Sequence, residues 1–226
     1  GRFQLALDRP LIMGIVNLTD DSFSGDGLRG GAGNAIAQGL RMVEEGADIL
    51  DLGAESSRPG AEPVSQQQEM DRLLPVIEGL RGCGVPLSVD TVKPGIMAAA
   101  LAAGIDMIND IFALQAPGAV EAVKASAAAV CLMHMQGEPR TMQSDPRYGD
   151  VVAEVAAFLG ARAAACTAAG IDKNRIVIDP GFGFGKTLAH NLALLRHLDR
   201  LTAAGLPVLA GLSRKSMFGL ITGRSV

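Results

Sequence analysis

The sequence RIVIDPGFGFGKT, residues 175–187, decides the fold because it shows how a strand of this protein ends. A short β-branched run leads into Asp179, and three glycines then alternate with phenylalanines before Lys186. A phosphate-binding P-loop needs four residues between its first glycine and the Gly-Lys pair. Gly181 and Gly185 are separated by only three, so the stretch is not that of an ATP site. It is instead a strand that ends in a carboxylate and is followed by a tight glycine turn.

The alternation of strand and helix continues along the whole chain. Seven short apolar runs alternate with Ala-rich segments of helical spacing, which are residues 34–47, 65–80, 93–104, 149–170 and 188–205. Ser65 and Gln68 have the spacing of a capping box, and Pro94 and Gly104 mark the start and the end of another helix. Strands that are apolar on both faces and alternate with helices predict a parallel sheet covered by helices.

Polar residues at the carboxyl ends of the strands favour an eight-fold barrel over a doubly wound open sheet. These residues are Asn17, Glu55, Asp90, Asn109, His134, Asp179, and Ser213 with Lys215. In a barrel all of these ends converge on one mouth, whereas in an open sheet only the strands beside the switch point contribute. We therefore predict a TIM (β/α)8 barrel in a single domain over residues 1–226. The eighth strand and the last helices have no counterpart in the sequence, so we expect a C-terminally incomplete barrel.

Composition and charge exclude several other classes of protein. The 226 residues are 48% hydrophobic, which is sufficient for a well-buried domain. A net charge of −4 offers no basic surface for nucleic acid. No signal peptide is visible and the longest Ala-rich stretches carry charges, so we predict a cytoplasmic protein without a membrane partner. Cys83, Cys131 and Cys166 lack C-x-x-C spacing and are predicted to be reduced, buried residues. With no histidine–carboxylate cluster, a zinc site is not predicted.

Seven motifs, taken in order, resemble those of the dihydropteroate synthases. They are MGIVNLTDDSFSGDG, GAESSRPGAEPVS, SVDT, IND, CLMHMQGEPRTMQ, DPGFGFGKT and GLSRKS. Each motif is weak alone, but the ordered set is specific. The resemblance implies a pterin-binding barrel enzyme of folate synthesis. Such an enzyme joins p-aminobenzoate to 6-hydroxymethyl-7,8-dihydropterin pyrophosphate and releases pyrophosphate, with Mg²⁺ as cofactor. It also implies a homodimer.

The resemblance assigns the pterin to polar side chains at strand ends. Asp179 would accept two adjacent ring N–H groups in a bidentate fork, and Asn109 would offer a donor and an acceptor to the mixed ring edge. Asp90 is the other pterin-facing carboxylate. Lys215 would reach the pterin carbonyl and line the aminobenzoate site, and Met133 would pack on the flat ring.

The resemblance also assigns residues to the aminobenzoate and to the metal. Phe23 would form part of a lid over the aminobenzoate, and Phe184 resembles a wall of its pocket. Asn17 resembles the residue that holds Mg²⁺ together with the pyrophosphate, and an amide oxygen is an acceptable ligand for this hard cation. Lys186 is expected to add positive charge near the mouth without direct contact.

The loop after the second strand is the pyrophosphate loop under this interpretation. Ser57 and Arg58 match a hydroxyl–arginine pair beside the pyrophosphate and the aminobenzoate carboxylate, and Pro59 stiffens the turn. The implied reaction is a dissociative displacement, in which the C–O bond to pyrophosphate breaks before the aromatic amine attacks the pterin cation. The residues assigned to catalysis, mainly through charge placement, are Asp90, Asp179, Lys215 and Arg58.

The chain departs from the family pattern at a few positions, and two alternatives stay open. Asp20 stands where proline is usual, Ser57 replaces a threonine, and an arginine and a histidine of the eighth strand have no counterpart. One alternative is the pterin domain of a corrinoid-linked methyltetrahydrofolate methyltransferase, which has no use for a pyrophosphate lid. The other is a non-catalytic pterin-binding paralogue, which would normally lose the loop residues that this chain retains. We expect His134 to be structural, and His190 and His197 to lie at a surface or an interface.

Overall fold

The computed structural model describes residues 1–19, 27–56, 63–139 and 141–224. Chain contacts divide the protein into two compact units. The described residues of the first unit are 1–19, 27–56, 63–110 and 114–130, and those of the second unit are 111–113, 131–139 and 141–224. The single domain over residues 1–226 stays a prediction.

The strands follow one another in the sheet in the order in which they occur in the chain. They are β1 (Met13–Asn17), β2 (Ile49–Gly53), β3 (Leu87–Asp90), β4 (Met107–Asp110), β5 (Ala129–Met133) and β6 (Ile176–Asp179). A doubly wound sheet reverses its strand order at a switch point, and no reversal occurs among these strands. The strand order is therefore that of an α/β barrel, which confirms the predicted fold class.

Eight α-helices are found in the described part of the chain. They are α1 (Gly27–Glu44), α2 (Gln66–Leu80), α3 (Pro94–Ala102), α4 (Ala119–Lys124), α5 (Val151–Ala168), α6 (Leu188–Arg196), α7 (Leu198–Thr202) and α8 (Ser216–Thr222). The predicted capping box is present at α2, where the Ser65 side chain accepts from the Gln68 N–H and the Gln68 side chain accepts in return. Pro94 begins α3, and Gly104 follows it with a φ of 96°.

Two predicted elements differ from the structure. The seventh strand, at residues 207–213, is reduced to a single parallel bridge between Ile178 and Val208. Only two hydrogen bonds of 2.9 Å form there, from Ile178 N to Pro207 O and from Leu209 N to Ile178 O, which is too short a ladder for a regular strand. The helix predicted over residues 188–205 is two helices, α6 and α7, because His197 leaves the helical region with a ψ of 32°.

The register of the first four strands arranges one sheet face in two rows, because side chains alternate along a strand. The upper row, at the carboxyl ends, consists of Asn17, Gly53, Asp90 and Asn109. The lower row consists of Ile15, Asp51, Ser88 and Met107. The opposite face is apolar and buried, and includes Val16, Leu50, Leu52, Val89 and Ile108. The predicted strand-end residues thus share one face with a second polar pair beneath them.

Helix α5 is the one described helix whose length and apolar composition would allow it to cross a membrane. Its residues Val155, Leu159 and Cys166 are nevertheless buried within the protein. Core helices meet the same criterion of length and composition. The absence of a membrane partner stays a prediction.

Candidate active site

Asp90 closes β3 and stands half-buried in the upper row. Burial raises the pKa of Asp90 well above its usual value, and four neighbouring carboxyl groups raise it further, namely Asp51, Asp110, Glu69 and Glu55. A ligand that brings positive charge or N–H donors to this side chain would therefore favour its ionised form. Asp90 does not cap α3, the next helix along the chain, because no side chain caps the start of that helix. Thr91 Oγ1 accepts from the Lys93 N–H at 3.2 Å instead.

Asn109, beside Asp90 in the upper row, is held by a carboxylate from the lower row. Its Nδ2 donates to Asp51 Oδ2 at 3.0 Å. Asp51 is only 5% exposed, and burial raises its pKa while the nearby Ser88 hydroxyl and the hydrogen bond from Asn109 act in the opposite direction. Sequence reasoning did not single out Asp51. The available signal was a charged residue inside an otherwise apolar strand, two positions before the Gly53 that ends it.

Asn17, the residue predicted to hold Mg²⁺, ends β1 with an exposed side chain. Its neighbour in the upper row is Gly53, which has no side chain to crowd the amide. Among the described residues, no group of three or more His, Cys, Asp or Glu side chains could hold a metal ion. A single amide oxygen nevertheless fits Mg²⁺, because this cation usually keeps several waters and takes other ligands from substrate phosphates.

Lys93 organises the end of β2 in a way that the sequence did not reveal. Its Nζ donates to Glu55 Oε2 at 2.8 Å, to Glu69 Oε2 at 2.6 Å and to Val64 O at 2.7 Å. Glu55 Oε1 in turn accepts from the Val64 N–H at 3.0 Å. Glu69 is fully buried, so this lysine neutralises a carboxylate that would otherwise be costly to bury. The network joins the residues on either side of residues 57–62.

Asp179 ends β6 in the second unit and is 7% exposed. Its Oδ1 accepts from the Gly181 N–H at 2.7 Å. Burial raises the pKa of Asp179 to about 6, although the Gly181 N–H and the charges of Lys215 and Lys186 act in the opposite direction. Each carboxylate oxygen can accept more than one hydrogen bond, so the group retains capacity for a pair of ligand N–H donors.

Lys186 is buried, 3% exposed, and lies inside the loop of residues 180–187, which we call the glycine loop. Its Nζ donates to Gly181 O and Phe184 O, both at 2.9 Å, and to His134 O at 3.3 Å. It also contacts His134 Nδ1 at 3.0 Å. Burial lowers the pKa of Lys186 to about 7. The Lys186 ammonium is therefore the internal clamp of this loop, and the absence of direct contact between Lys186 and a ligand stays a prediction.

His134 is the partner of this clamp. Burial and the neighbouring Lys186 lower the pKa of His134 to about 3, so the imidazole is neutral and its Nδ1 can accept from the ammonium. The backbone N–H of His134 donates to the backbone oxygen of Asp179 at 2.9 Å. The ring also meets Phe158 edge-on at 5.0 Å between centroids. The predicted structural role of His134 is therefore confirmed.

The glycines of the loop are required by the backbone at two positions. Gly181 has a φ of 67°, and a Cβ there would lie 2.0 Å from His134 O. Gly185 has a φ of 62°, and a Cβ there would lie 2.4 Å from Gln136 O. Asn191, from α6, adds a side-chain clamp by accepting from the Gly183 N–H at 2.9 Å. The close approach of two backbones explains why only glycine fits.

The remaining predicted residues of the second unit surround the glycine loop. Lys215 Nζ lies 4.4 Å from the ring centroid of Phe184, in a cation–π arrangement. The side chain of Met133, 4% exposed, approaches within 3.3 Å of where a Gly181 Cβ would be. Lys215, Phe184 and Asp179 therefore belong to one local structure. His190, predicted to lie at a surface or an interface, is half-buried, and its Nδ1 accepts from the Thr187 N–H at 3.2 Å.

Four predicted residues lie outside the described part of the chain. They are Phe23, Ser57, Arg58 and Pro59. Their roles stay predictions from the resemblance. Within the described residues, each unit has polar side chains at its strand ends, which are Asp90 and Asn109 in the first unit and Asp179 in the second.

Comparisons with known proteins agree with these observations over the whole chain. Residues 13–226 match the family of pterin binding enzymes. The chain is 55% identical over 229 residues to the dihydropteroate synthase of Neisseria meningitidis serogroup C, covering 100% of this chain and 81% of that protein. This chain belongs to the dihydropteroate synthase family. It spans about four-fifths of the length of such relatives.

Solved structures of dihydropteroate synthases share the same fold. The Xanthomonas albilineans enzyme with 4-aminobenzoic acid has a TM-score of 0.90 at 55% identity, over 98% of this chain and 80% of that one. The Burkholderia cenocepacia enzyme complexed with 7,8-dihydropteroate has a TM-score of 0.89 at 49% identity, over 100% of this chain and 80% of that one. The recognition of a dihydropteroate synthase and of its barrel fold from the ordered motifs is thus confirmed.

Proposed function

We propose that this chain condenses p-aminobenzoate with 6-hydroxymethyl-7,8-dihydropterin pyrophosphate, giving 7,8-dihydropteroate and pyrophosphate. The observation that carries the proposal is similarity over the full chain to dihydropteroate synthases, including one solved with 4-aminobenzoic acid and one solved with 7,8-dihydropteroate. These ligands are one substrate and the product of the proposed reaction. The corrinoid-linked methyltransferase and the non-catalytic paralogue have no comparable support.

Recognition of the pterin would rest on side chains with opposite hydrogen-bonding character. Asp179, which still has accepting capacity on both oxygens, would bind the adjacent N–H groups of the pterin ring. Asn109 would present one donor and one acceptor, and Asp90 would face the ring with its carboxyl group. Lys215 would reach the pterin carbonyl, and Met133 would pack on the flat ring.

Catalysis would come from charge placement rather than from a nucleophilic side chain. The C–O bond to pyrophosphate breaks and its electron pair leaves with the pyrophosphate, which leaves a cation delocalised in the pterin. The amine of p-aminobenzoate then attacks this carbon and afterwards loses a proton. A developing cation lowers the pKa of nearby carboxyl groups, so Asp90 and Asp179 stabilise it best when they are ionised.

The leaving group would be held by the loops that follow β1 and β2. Asn17 would bind Mg²⁺ through its amide oxygen, and the metal supplies positive charge to the pyrophosphate. Ser57 would donate to the pyrophosphate, and Arg58 would serve both the pyrophosphate and the aminobenzoate carboxylate. Phe23 would form part of the lid over the aminobenzoate, and Phe184 would form a wall of its pocket. Pro59 would stiffen the turn after Arg58. A homodimer in the cytoplasm, without nucleic-acid or membrane partners, completes the proposal.

The test is a binding and turnover experiment with the purified chain. Calorimetric titration with 6-hydroxymethylpterin measures pterin affinity, and chromatography measures 7,8-dihydropteroate formed from both substrates with Mg²⁺. We expect Asp179→Ala to reduce pterin affinity at least about tenfold, because a charge-assisted pair of hydrogen bonds is lost. Asp199→Ala, which removes an exposed carboxylate from α7 of the same unit, should leave affinity unchanged. A folded chain that neither binds pterin nor forms product would refute the proposal.

A further inference from the structure

Asp51 is a buried carboxylate for which the proposed reaction has no direct use. It lies in the lower row, one side-chain layer beneath the pterin-facing residues, between Ile15 of β1 and Ser88 of β3. Its Oδ1 is buried without a hydrogen-bond partner in the described part of the chain, and so is the Oγ of Ser88, its partner in the strand register. Burying such groups is unfavourable unless they are paired. A carboxylate in this position therefore calls for a role that an apolar residue could not fill.

We propose that Asp51 is a positioning residue that sets the orientation of the Asn109 carboxamide, and so determines which ring edge Asn109 can recognise. This inference rests on the pterin-binding role proposed above for Asn109. It is carried by the 3.0 Å hydrogen bond from Asn109 Nδ2 to Asp51 Oδ2, which joins two strands that are separated by β3.

The chemistry of the two groups selects one of two amide orientations. An ionised carboxylate only accepts hydrogen bonds, whereas the two ends of a carboxamide differ, since one donates and the other accepts. In the observed orientation an N–H of Asn109 meets Oδ2 of Asp51. A rotated carboxamide would instead bring two acceptor oxygens together in a buried place, which is repulsive. Asp51 therefore distinguishes two rotamers that have almost the same shape.

The selected orientation decides what the upper row offers to a ligand. One N–H of Asn109 is occupied by Asp51, which leaves the second N–H and the Oδ1 in a fixed order. A ring edge with an acceptor beside a donor in the matching order would be bound, and an edge with the reverse order would face like groups. Residue 51 thus contributes to specificity without touching the ligand.

A double-mutant cycle with an isosteric change tests the proposal. In Asp51→Asn the residue can donate as well as accept, so both orientations of Asn109 become possible at nearly unchanged volume. We expect 6-hydroxymethylpterin affinity to fall about three- to tenfold, because only part of the population is competent to bind. In an Asn109→Ala background the same change should alter affinity less than about twofold. A purely structural role would give equal losses in both backgrounds and would overturn the inference.

Two further measurements separate this inference from the proposed function. Nitrogen-15 NMR of the Asn109 side-chain amide needs no ligand. Its resonances should shift in Asp51→Asn and stay in place in Asp48→Asn, a change directly before the start of β2. Unshifted resonances in Asp51→Asn would overturn the inference even if pterin binds. Conversely, a wild-type chain that binds no pterin would refute the proposed function, while the amide resonances would still decide whether Asp51 orients Asn109.

The kinetic signature of the variant follows from the same reasoning. If the enzyme turns over, Asp51→Asn should raise KM for the pterin pyrophosphate and leave KM for p-aminobenzoate unchanged. Equal changes in both constants, or a melting temperature well below that of the wild type, would indicate a general structural defect and count against a positioning role.

Discussion

Asp179 combines deep burial with a single short backbone donor, and these two features set its titration. Burial dominates, so its pKa is raised to about 6. At neutral pH the carboxyl group is therefore mostly ionised, but at a cost to the folded state. This is the state in which it can accept two ligand N–H groups. The residue is thus suited to binding rather than to stability.

The pH dependence of stability should reveal this cost. Because the folded pKa lies above the unfolded value near 3.8, the folded state binds the proton more tightly. The stabilisation of the folded state by the proton on Asp179 is complete below about pH 4 and is lost as the pH rises through about 6. Relative to Asp179→Asn, the wild type should lose roughly 3 kcal/mol of unfolding free energy over this range. Urea unfolding at pH 4, 5, 6 and 7 checks it, and a pH-independent difference would contradict it.

Lys186 should contribute substantially to the stability of the folded protein, because its ammonium holds the glycine loop together. Replacing it with methionine removes the Lys186 donor from Phe184 O and one of the two donors from Gly181 O, which also accepts from the Phe184 N–H at 3.1 Å. We expect Lys186→Met to lower the unfolding free energy by about 2–4 kcal/mol. Lys173→Met is the matched control, since this exposed lysine also donates to a carbonyl, Ala204 O at 3.3 Å. It should change stability by less than about 0.5 kcal/mol. Equal effects of the two variants in urea unfolding would show that the clamp is unimportant.

At the scale of elements, the glycine loop is shaped by the backbone that it approaches. Gly181 and Gly183 both have positive φ, at 67° and 78°. They differ in their surroundings, because a Cβ at Gly181 would meet the backbone oxygen of His134, whereas one at Gly183 would meet only the flexible Lys215 side chain at 3.4 Å. The two positions therefore separate conformational strain from steric overlap.

Alanine at these two positions should have clearly different effects. Gly183→Ala should cost about 1–2 kcal/mol, the usual penalty for a left-handed conformation. Gly181→Ala should cost at least about 2 kcal/mol more, because the strand end and the loop must move apart. It should also weaken pterin binding, since Gly181 N–H is the donor to Asp179. Thermal unfolding and pterin titration of both variants measure these effects. Similar stabilities for the two variants would contradict the account.

At the scale of the whole molecule, three free thiols are distributed over both units. Cys83 is half-buried, whereas Cys131 and Cys166 are fully buried. The prediction of buried cysteines is thus confirmed for two of the three. No disulfide is formed among them, which leaves burial as the factor that decides their reactivity.

The rates at which a thiol reagent modifies the three cysteines should distinguish the half-buried thiol from the two buried ones. Under native conditions we expect one thiol to react rapidly and two to react only at the rate of unfolding. Cys83→Ser should remove the rapid phase and leave the slow phase unchanged. Two or more rapid thiols in the wild type would mean that the second unit opens far more readily than its buried core implies.

The sequence by itself determined the fold class, most of the elements and the identity of the strand-end residues. These features are local, because hydrophobic period, capping residues such as Ser65 and Gln68, and glycine turns act over a few neighbouring residues. The prediction of a seventh strand was wrong because an apolar run of suitable length does not guarantee a neighbouring strand with which to form a ladder of hydrogen bonds. The break at His197 was missed for a similar reason, since helical spacing continues through it.

Only the tertiary structure decided which side chains support the strand ends. Asp51 reaches Asn109 across 58 residues, Lys186 reaches His134 across 52, and Lys93 reaches Glu55 across 38. Each contact depends on strand register or on burial, and neither is written in the local pattern. A one-residue change of register would turn Asp51 to the opposite face. The ligand-facing residues could be recognised from their type and position, but their supports exist only once the strands are paired.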